Sequence, residues 1–214
     1  MSSIVIAGDT SGSVTLQAPA TAGTTVLTLP STSGTLAIGS GAMTFISVQT
    51  VSGTPSEIDF TSGISATYDD YVVIFENVGL SANTAKLLML FYKSGAYISG
   101  TYRTTYIYAS ANGSDFTSNG ETDFFIITRQ SSSTNVNLRS GTINLFNLNS
   151  ATGWSQSCTW AGQNNGSDTS GINNNFTTGG GTEGTAAAVT QLRFKPNSGT
   201  FTSGTFRLYG IQKS

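Results

Sequence analysis

Carboxylates are the side chains whose spacing here suggests acid–base or cation chemistry. Glu57 and Asp59 stand two residues apart, as do Glu121 and Asp123. On an extended strand, residues i and i+2 share a face. Each pair could therefore bind a cation or divide acid and base roles. Read as strand-edge charges, the same residues discourage aggregation instead. The segment Asp115-Phe-Thr117-Ser-Asn119-Gly120, with Asp123 following, puts oxygen ligands at positions one, three, five and nine of a calcium-type loop, and glycine at six. The twelfth position is Ile126 rather than glutamate, and the flanks read as strands, so a polar turn is the simpler reading. No cofactor and no metal is expected.

The missing residue types narrow the chemistry further. The sequence contains no histidine, which removes Ser-His-Asp and Cys-His catalysis and nearly all catalytic zinc sites. There is no G-x-S-x-G elbow, no Gly-Lys pair of a phosphate loop and no C-x-x-C. The chain is expected not to be an enzyme. One cysteine, Cys158, allows no intrachain disulfide and reads as a small buried apolar residue.

Aromatic residues supply the remaining candidates. Tyr102, Tyr106 and Tyr108 share parity and so one strand face. Tyrosine joins apolar area to a polar tip, which suits an interface or a sugar as well as an ordinary sheet face. Trp154 and Trp160 flank Cys158 at even spacing. If extended, the segment puts both indoles on one side, as a carbohydrate platform or as core.

The elements that must hold these residues are strands. Charged residues are only 9% of the chain, against roughly 25% in an average domain. Polarity is carried by Ser, Thr, Asn and 25 Gly, which favour turns, edges and strands. Strand-like runs fall near 44–51, 57–60, 70–78, 86–93, 102–109, 122–129, 135–147, 156–162, 187–195 and 204–212. Between them lie clusters read as turns, among them Ser110–Ser114, Asn164–Asn175 and Gly179–Gly184. The expectation is an all-β chain: a short extended or β N-terminal arm, residues 1–42, then an antiparallel jelly-roll-like β-sandwich, residues 43–214. The runs Tyr71–Phe75, Leu87–Tyr92 and Phe124–Ile127 are continuously apolar, so both faces of those strands call for cover, by subunit contacts or by a large core.

Net charge is −2, with no cluster of Lys and Arg for nucleic acid. Residues 57–123 are mainly acidic and 124–214 mainly basic, so pairing between the halves is plausible on charge alone. MSSIVIAGDT has neither the basic nor the apolar region of a secretory signal, and the apolar runs are too short for a helical membrane span. Neither nucleic acid nor membrane is expected as a partner.

The arm has its own texture. Phrases begin at Gly12, Gly23 and Gly34, eleven residues apart, and carry an apolar residue at the fifth position: Leu16, Leu27 and Ile38. The first two reach proline at the eighth, Pro19 and Pro30, where the third has Gly41. Each phrase reads as one strand and one turn. Strands this small bury too little surface to offset backbone ordering, about 1–2 kcal/mol per residue. The arm must therefore lie against sister subunits or a larger assembly. Leu16, Pro19, Leu27, Leu29, Pro30, Leu36 and Ile38 are its candidate anchoring residues. Ile38–Met43 reads as a hinge.

The arm's phrases, Gly12-Ser-Val-Thr-Leu16, Ala18-Pro19, Ala22-Gly23 through Leu29-Pro30, and Ser33-Gly34-Thr35-Leu36-Ala37, resemble the N-terminal module of phage and cyanophage tail-fibre and virion proteins. Ser203-Gly-Thr-Phe-Arg-Leu-Tyr-Gly-Ile211 resembles the last strand of β-sandwich domains in similar proteins. The resemblance implies a homotrimeric virion component. It would be anchored to capsid or tail proteins through its arm, assembled in the host cytoplasm, and placed in a tail fibre, head fibre or capsid decoration. A host-surface glycan is the alternative partner, with Tyr102, Tyr106, Tyr108, Trp154 and Trp160 as contacts. The resemblance brings no catalytic residues with it.

Overall fold

The computed structural model describes residues 3–7, 10–17, 21, 24, 43–82, 85–110, 113–115, 125–128, 138–168 and 171–211. The chain separates into two units, Met1–Gly39 and Ser40–Ser214. In the first, β1 (Ser3–Ala7) and β2 (Ser13–Gln17) form an antiparallel hairpin, with Ile4 opposite Leu16 and Ile6 opposite Val14. Gly12 takes the left-handed backbone before β2, at φ 81°, which glycine adopts without steric cost. Ile4, Val5 and Ile6 are all exposed. Pro19, Leu27, Leu29, Pro30, Leu36 and Ile38 lie outside the described residues, and of Leu16 only the backbone pairing is described.

The second unit is built from two antiparallel sheets packed together around one core. Its strands are β3 (Met43–Thr50), β4 (Ile58–Phe60), β5 (Asp70–Leu80), β6 (Leu87–Lys93), β7 (Ala96–Tyr97), β8 (Tyr102–Ser110), β9 (Gly113–Asp115), β10 (Phe125–Thr128), β11 (Leu138–Phe146), β12 (Gln156–Asp168), β13 (Gly171–Glu183), β14 (Gln191–Pro196) and β15 (Phe201–Ile211). The larger sheet runs β3-β15-β5-β11-β12-β13-β8-β9, and the smaller β10-β6-β14-β4 with β7 beside β6.

Eight of these strands make a jelly roll. Taken in chain order, β3, β4, β5, β6, β10, β11, β14 and β15 give a sheet of order first-eighth-third-sixth facing one of order fifth-fourth-seventh-second. That is the double Greek-key arrangement of jelly rolls. The larger sheet then continues past β11 through β12, β13, β8 and β9. The fold expectation from sequence holds, with this lateral extension added.

Alternation explains the packing. Tyr71, Val73 and Phe75 of β5 are buried between the sheets, while Val72 and Ile74 are half-buried on the outer face. Phe206 stacks on Phe194 at 4.8 Å between centroids, and Phe125 meets Tyr102 edge-on at 4.6 Å. Such ring pairs add about 0.5–1.5 kcal/mol beyond their buried area.

One reading of the sequence is corrected. Asn164–Asn175 and Gly179–Gly184 are not mainly turns, because Gln156–Asp168 and Gly171–Glu183 form one long hairpin of the large sheet. The glycines are there for room. A Cβ on Gly179 would lie 2.5 Å from Trp160 Cζ2, and one on Gly181 2.8 Å from Phe125 Cε1. Large rings are thereby seated directly on the backbone of β13.

Candidate functional site

The tyrosine face and the paired tryptophans are placed differently from the expected platform. Tyr102 and Tyr106 share a face, with Thr104 between them, but that face is the core and all three are buried. Tyr108 keeps the parity of β8 in its backbone, and its side chain lies outside what is described. Trp160 is buried at 2% exposure, whereas Trp154 is half exposed. The two indoles are not on one side because β12 begins only at Gln156 and Trp154 sits before it at φ 65°. Tyr102, Tyr106 and Trp160 are buried and so do not share an exposed platform with Trp154, which is accessible. Its indole packs on the bare backbone of Gly184, and the Arg103 guanidinium lies over the ring at 5.4 Å.

The carboxylates at Glu57 and Asp59 have a partner. Arg193 of β14 reaches Glu57 Oε2 at 2.6 Å and clamps Asp59 with Nε at 2.9 Å and Nη2 at 2.6 Å. It also stacks 3.8 Å from the Tyr97 ring centroid. Burial, then the Asp59 charge, push the Tyr97 phenol up to about 12. Arg193 offsets one of the two negative charges and ties Asp59 of β4 to β14, which makes the cluster a contact between strands. It realises the acidic-to-basic pairing legible in the sequence, as does Arg207 with Glu76 on the outer surface. Asp115 ends β9, and the rest of the calcium-like segment, with Glu121 and Asp123, lies outside the described residues. Among the described residues no three His, Cys, Asp or Glu gather to hold a metal.

Two features have most bearing on what the chain does. The first is the outer face of the large sheet at its β3 end. Met43, Phe45 and Val48 project outward and are exposed at 44%, 54% and 46%. The pairing sets Phe45 beside Tyr209 and Tyr209 beside Val72, and likewise Val48 beside Arg207 and Arg207 beside Ile74. Phe45 and Tyr209 touch edge to face at 5.7 Å. β3 is also the last strand of its sheet, so one edge of its backbone is unpaired by any other strand described. Among the described residues an exposed apolar face is thus joined to an unpaired strand edge.

The second is a polar cluster inside the core, missed from sequence. Lys93, Gln156 and Glu183 are all wholly buried. Gln156 and Glu183 are direct cross-strand neighbours on β12 and β13. Lys93 comes from the facing sheet and donates to Gln156 Oε1 at 3.0 Å, to Glu183 Oε2 and to the Thr185 carbonyl at 2.9 Å. Glu183 Oε1 accepts from the Thr101 hydroxyl at 2.5 Å and from the Thr185 N–H at 2.7 Å. Gln156 Nε2 donates to the Ser150 and Ala187 carbonyls. Burial alone would raise the Glu183 carboxyl, but the hydrogen bonds from Lys93, Thr101 and Thr185 outweigh it and hold it below its ordinary value. A signal for this cluster was present: Leu87, Met89, Phe91 and Lys93 share the inward phase of β6, so a lysine ends a core-facing row. Nothing local marks Glu183, ninety residues on.

Comparison with protein-family models, with curated proteins and with solved structures finds no match to this chain.

Proposed function

We propose that this chain is a non-enzymatic structural subunit of a bacteriophage particle. It assembles as a homotrimer, is anchored to capsid or tail proteins through residues 1–42, and serves as a fibre or capsid-decoration subunit. The observation that carries this reading is apolar strand surface that the chain leaves bare. Ile4, Val5 and Ile6 are exposed on β1, and Met43, Phe45 and Val48 on β3. A two-stranded hairpin is at best marginal in water, so β1 and β2 need a further surface to lie on. A β3 face of this kind is covered when identical chains meet around an axis. The jelly-roll order adds weight without deciding the matter, since that architecture serves viral capsid domains and lectins alike. The mechanism is buried area and strand pairing without turnover.

The test is location. In purified particles, density for this chain in symmetric threefold copies on the shell or tail supports the reading. Particles that lack the chain altogether overturn it.

A second reading is favoured by Trp154. A bulky residue in the left-handed region is a strained position, and here it holds a half-exposed indole outward beside Arg103. A sugar ring stacked on that indole, with Arg103 contacting an acidic or hydroxyl substituent, makes the chain a glycan-binding subunit of the same appendage. Glycan-array binding lost in Trp154→Ala supports this. Absence of binding to any host-surface sugar removes it.

A further inference from the structure

We propose that Lys93 and Gln156 become joined by an intramolecular isopeptide bond, with Glu183 as the proton carrier, locking the two sheets together covalently. This inference rests on the buried cluster and is independent of where the protein works.

The geometry has the parts that amide aminolysis needs. Lys93 Nζ is 3.0 Å from the carbonyl oxygen of Gln156 and donates a second hydrogen bond to the Glu183 carboxylate. All three side chains are fully enclosed. A bare ion pair between facing sheets needs only lysine and glutamate. Here a primary amide is fixed beside them, its nitrogen held by two backbone carbonyls and its oxygen turned to the amine. Gln156 and Glu183 are cross-strand neighbours, so the acid that receives the lysine proton is carried on the strand next to the amide.

The step balances without any co-reactant. The Lys93 ammonium passes a proton to the Glu183 carboxylate, which frees the lone pair on Nζ. Nζ attacks Cδ of Gln156, forming a C–N bond and placing the displaced carbonyl electrons on Oε1. Protons move from Nζ, by way of Glu183, to Nε2. The Cδ–Nε2 bond breaks as the carbonyl reforms, and ammonia leaves, taking a proton as ammonium. A lysine ammonium and a primary amide become a secondary amide and an ammonium ion, and Glu183 ends as the carboxylate it began as.

Amide aminolysis is slow between free molecules. Holding two reacting groups together raises their effective concentration, which reaches the order of 10⁵–10⁸ M in the best-oriented intramolecular reactions. Enclosure also keeps out water, which would otherwise hydrate the amine and compete for the carbonyl. The product would tie β6 of the small sheet to β12 of the large one.

Intact-mass measurement of the purified full chain, with peptide mapping, decides the matter. We expect a chain lighter than its sequence by one ammonia, and a branched peptide joining Lys93 to Gln156. Glu183→Gln is expected to keep the full mass. A folded wild-type chain of full sequence mass after prolonged incubation, with Lys93 and Gln156 in ordinary linear peptides, overturns the proposal. So does an ammonia loss that maps to any other residue. The wild-type result stands by itself if the Glu183 variant does not fold. If that variant folds and cross-links as readily as wild type, the role given to Glu183 is wrong.

Discussion

Replacing Gly179 by alanine should destabilise this protein, whereas the same change at its neighbour Gly180 should not. Gly179 faces the core, and a Cβ there would lie 2.5 Å from Trp160 Cζ2, 2.7 Å from the Thr105 carbonyl oxygen and 2.7 Å from Tyr106 Cβ. Two of those three atoms, the Thr105 oxygen and Tyr106 Cβ, are fixed by the backbone of β8, so rotating a flexible side-chain end cannot relieve the clash. Overpacking of this kind costs about 1–3 kcal/mol, and crowding against backbone belongs at the upper end. Gly180 faces outward, with its nearest neighbours at 3.2 Å, the Cys158 carbonyl oxygen, and 3.6 Å, Thr159 Cγ2. There the loss of glycine's chain entropy in the unfolded state, about 0.5–1 kcal/mol, offsets the mild crowding. For a domain of this size the Gly179→Ala midpoint should fall by about 2–12 °C, while Gly180→Ala stays close to wild type. Thermal unfolding followed by circular dichroism reads both. Equal stability of the two variants would mean that residues 179–181 are not a strand seated under Trp160. The path from β11 out to β9 would then be wrong.

Three other outcomes follow from individual residues. Tyr97 is held protonated up to about 12 by burial and by Asp59, against an ordinary value of 10.0. Its contribution to stability is whole below pH 10 and is lost as the pH rises through 12, so a Tyr97→Phe chain should lose less stability than wild type over that alkaline interval in denaturant titrations. Burial drives the Cys158 thiol well above its usual value and encloses it completely. An aromatic disulfide reagent should therefore label it only after denaturation, and prompt labelling of the native chain would contradict the core described here. Arg207→Ala, which breaks the surface pair with Glu76, should lower the denaturation midpoint only slightly, and less as salt rises, by chemical denaturation at two ionic strengths.

Much of the fold was legible because alternation and turn chemistry are local. Each of the ten runs read from the sequence overlaps a strand, although 187–195 begins four residues before β14, and the jelly-roll-like sandwich follows from their number and spacing. What escaped was set by distant neighbours. The second strand of the long hairpin carries Gly179-Gly180-Gly181, which in isolation signals a turn, and only Trp160 and Phe125 lying on it explain those glycines. Trp154 and Trp160 have the even spacing of one strand face, yet the strand starts between them, and a boundary shift of two residues sends one ring inward and leaves the other out. The parity of Tyr102 and Tyr106 was read correctly, but parity does not say which face is the core. The two-sided apolar character of Tyr71–Phe75 was real: Val72 and Ile74 run out onto the face that Phe45 and Val48 leave exposed.

The particle mass of the full chain in solution bears most directly on the account, because exposed Ile4–Ile6, Met43, Phe45 and Val48 are read here as surface that identical partners cover. Light scattering at micromolar concentration should give three chains per particle, falling to one in a Phe45→Glu, Val48→Glu chain that keeps its β-sheet spectrum. A single-chain mass for the wild type across the whole concentration range would contradict it.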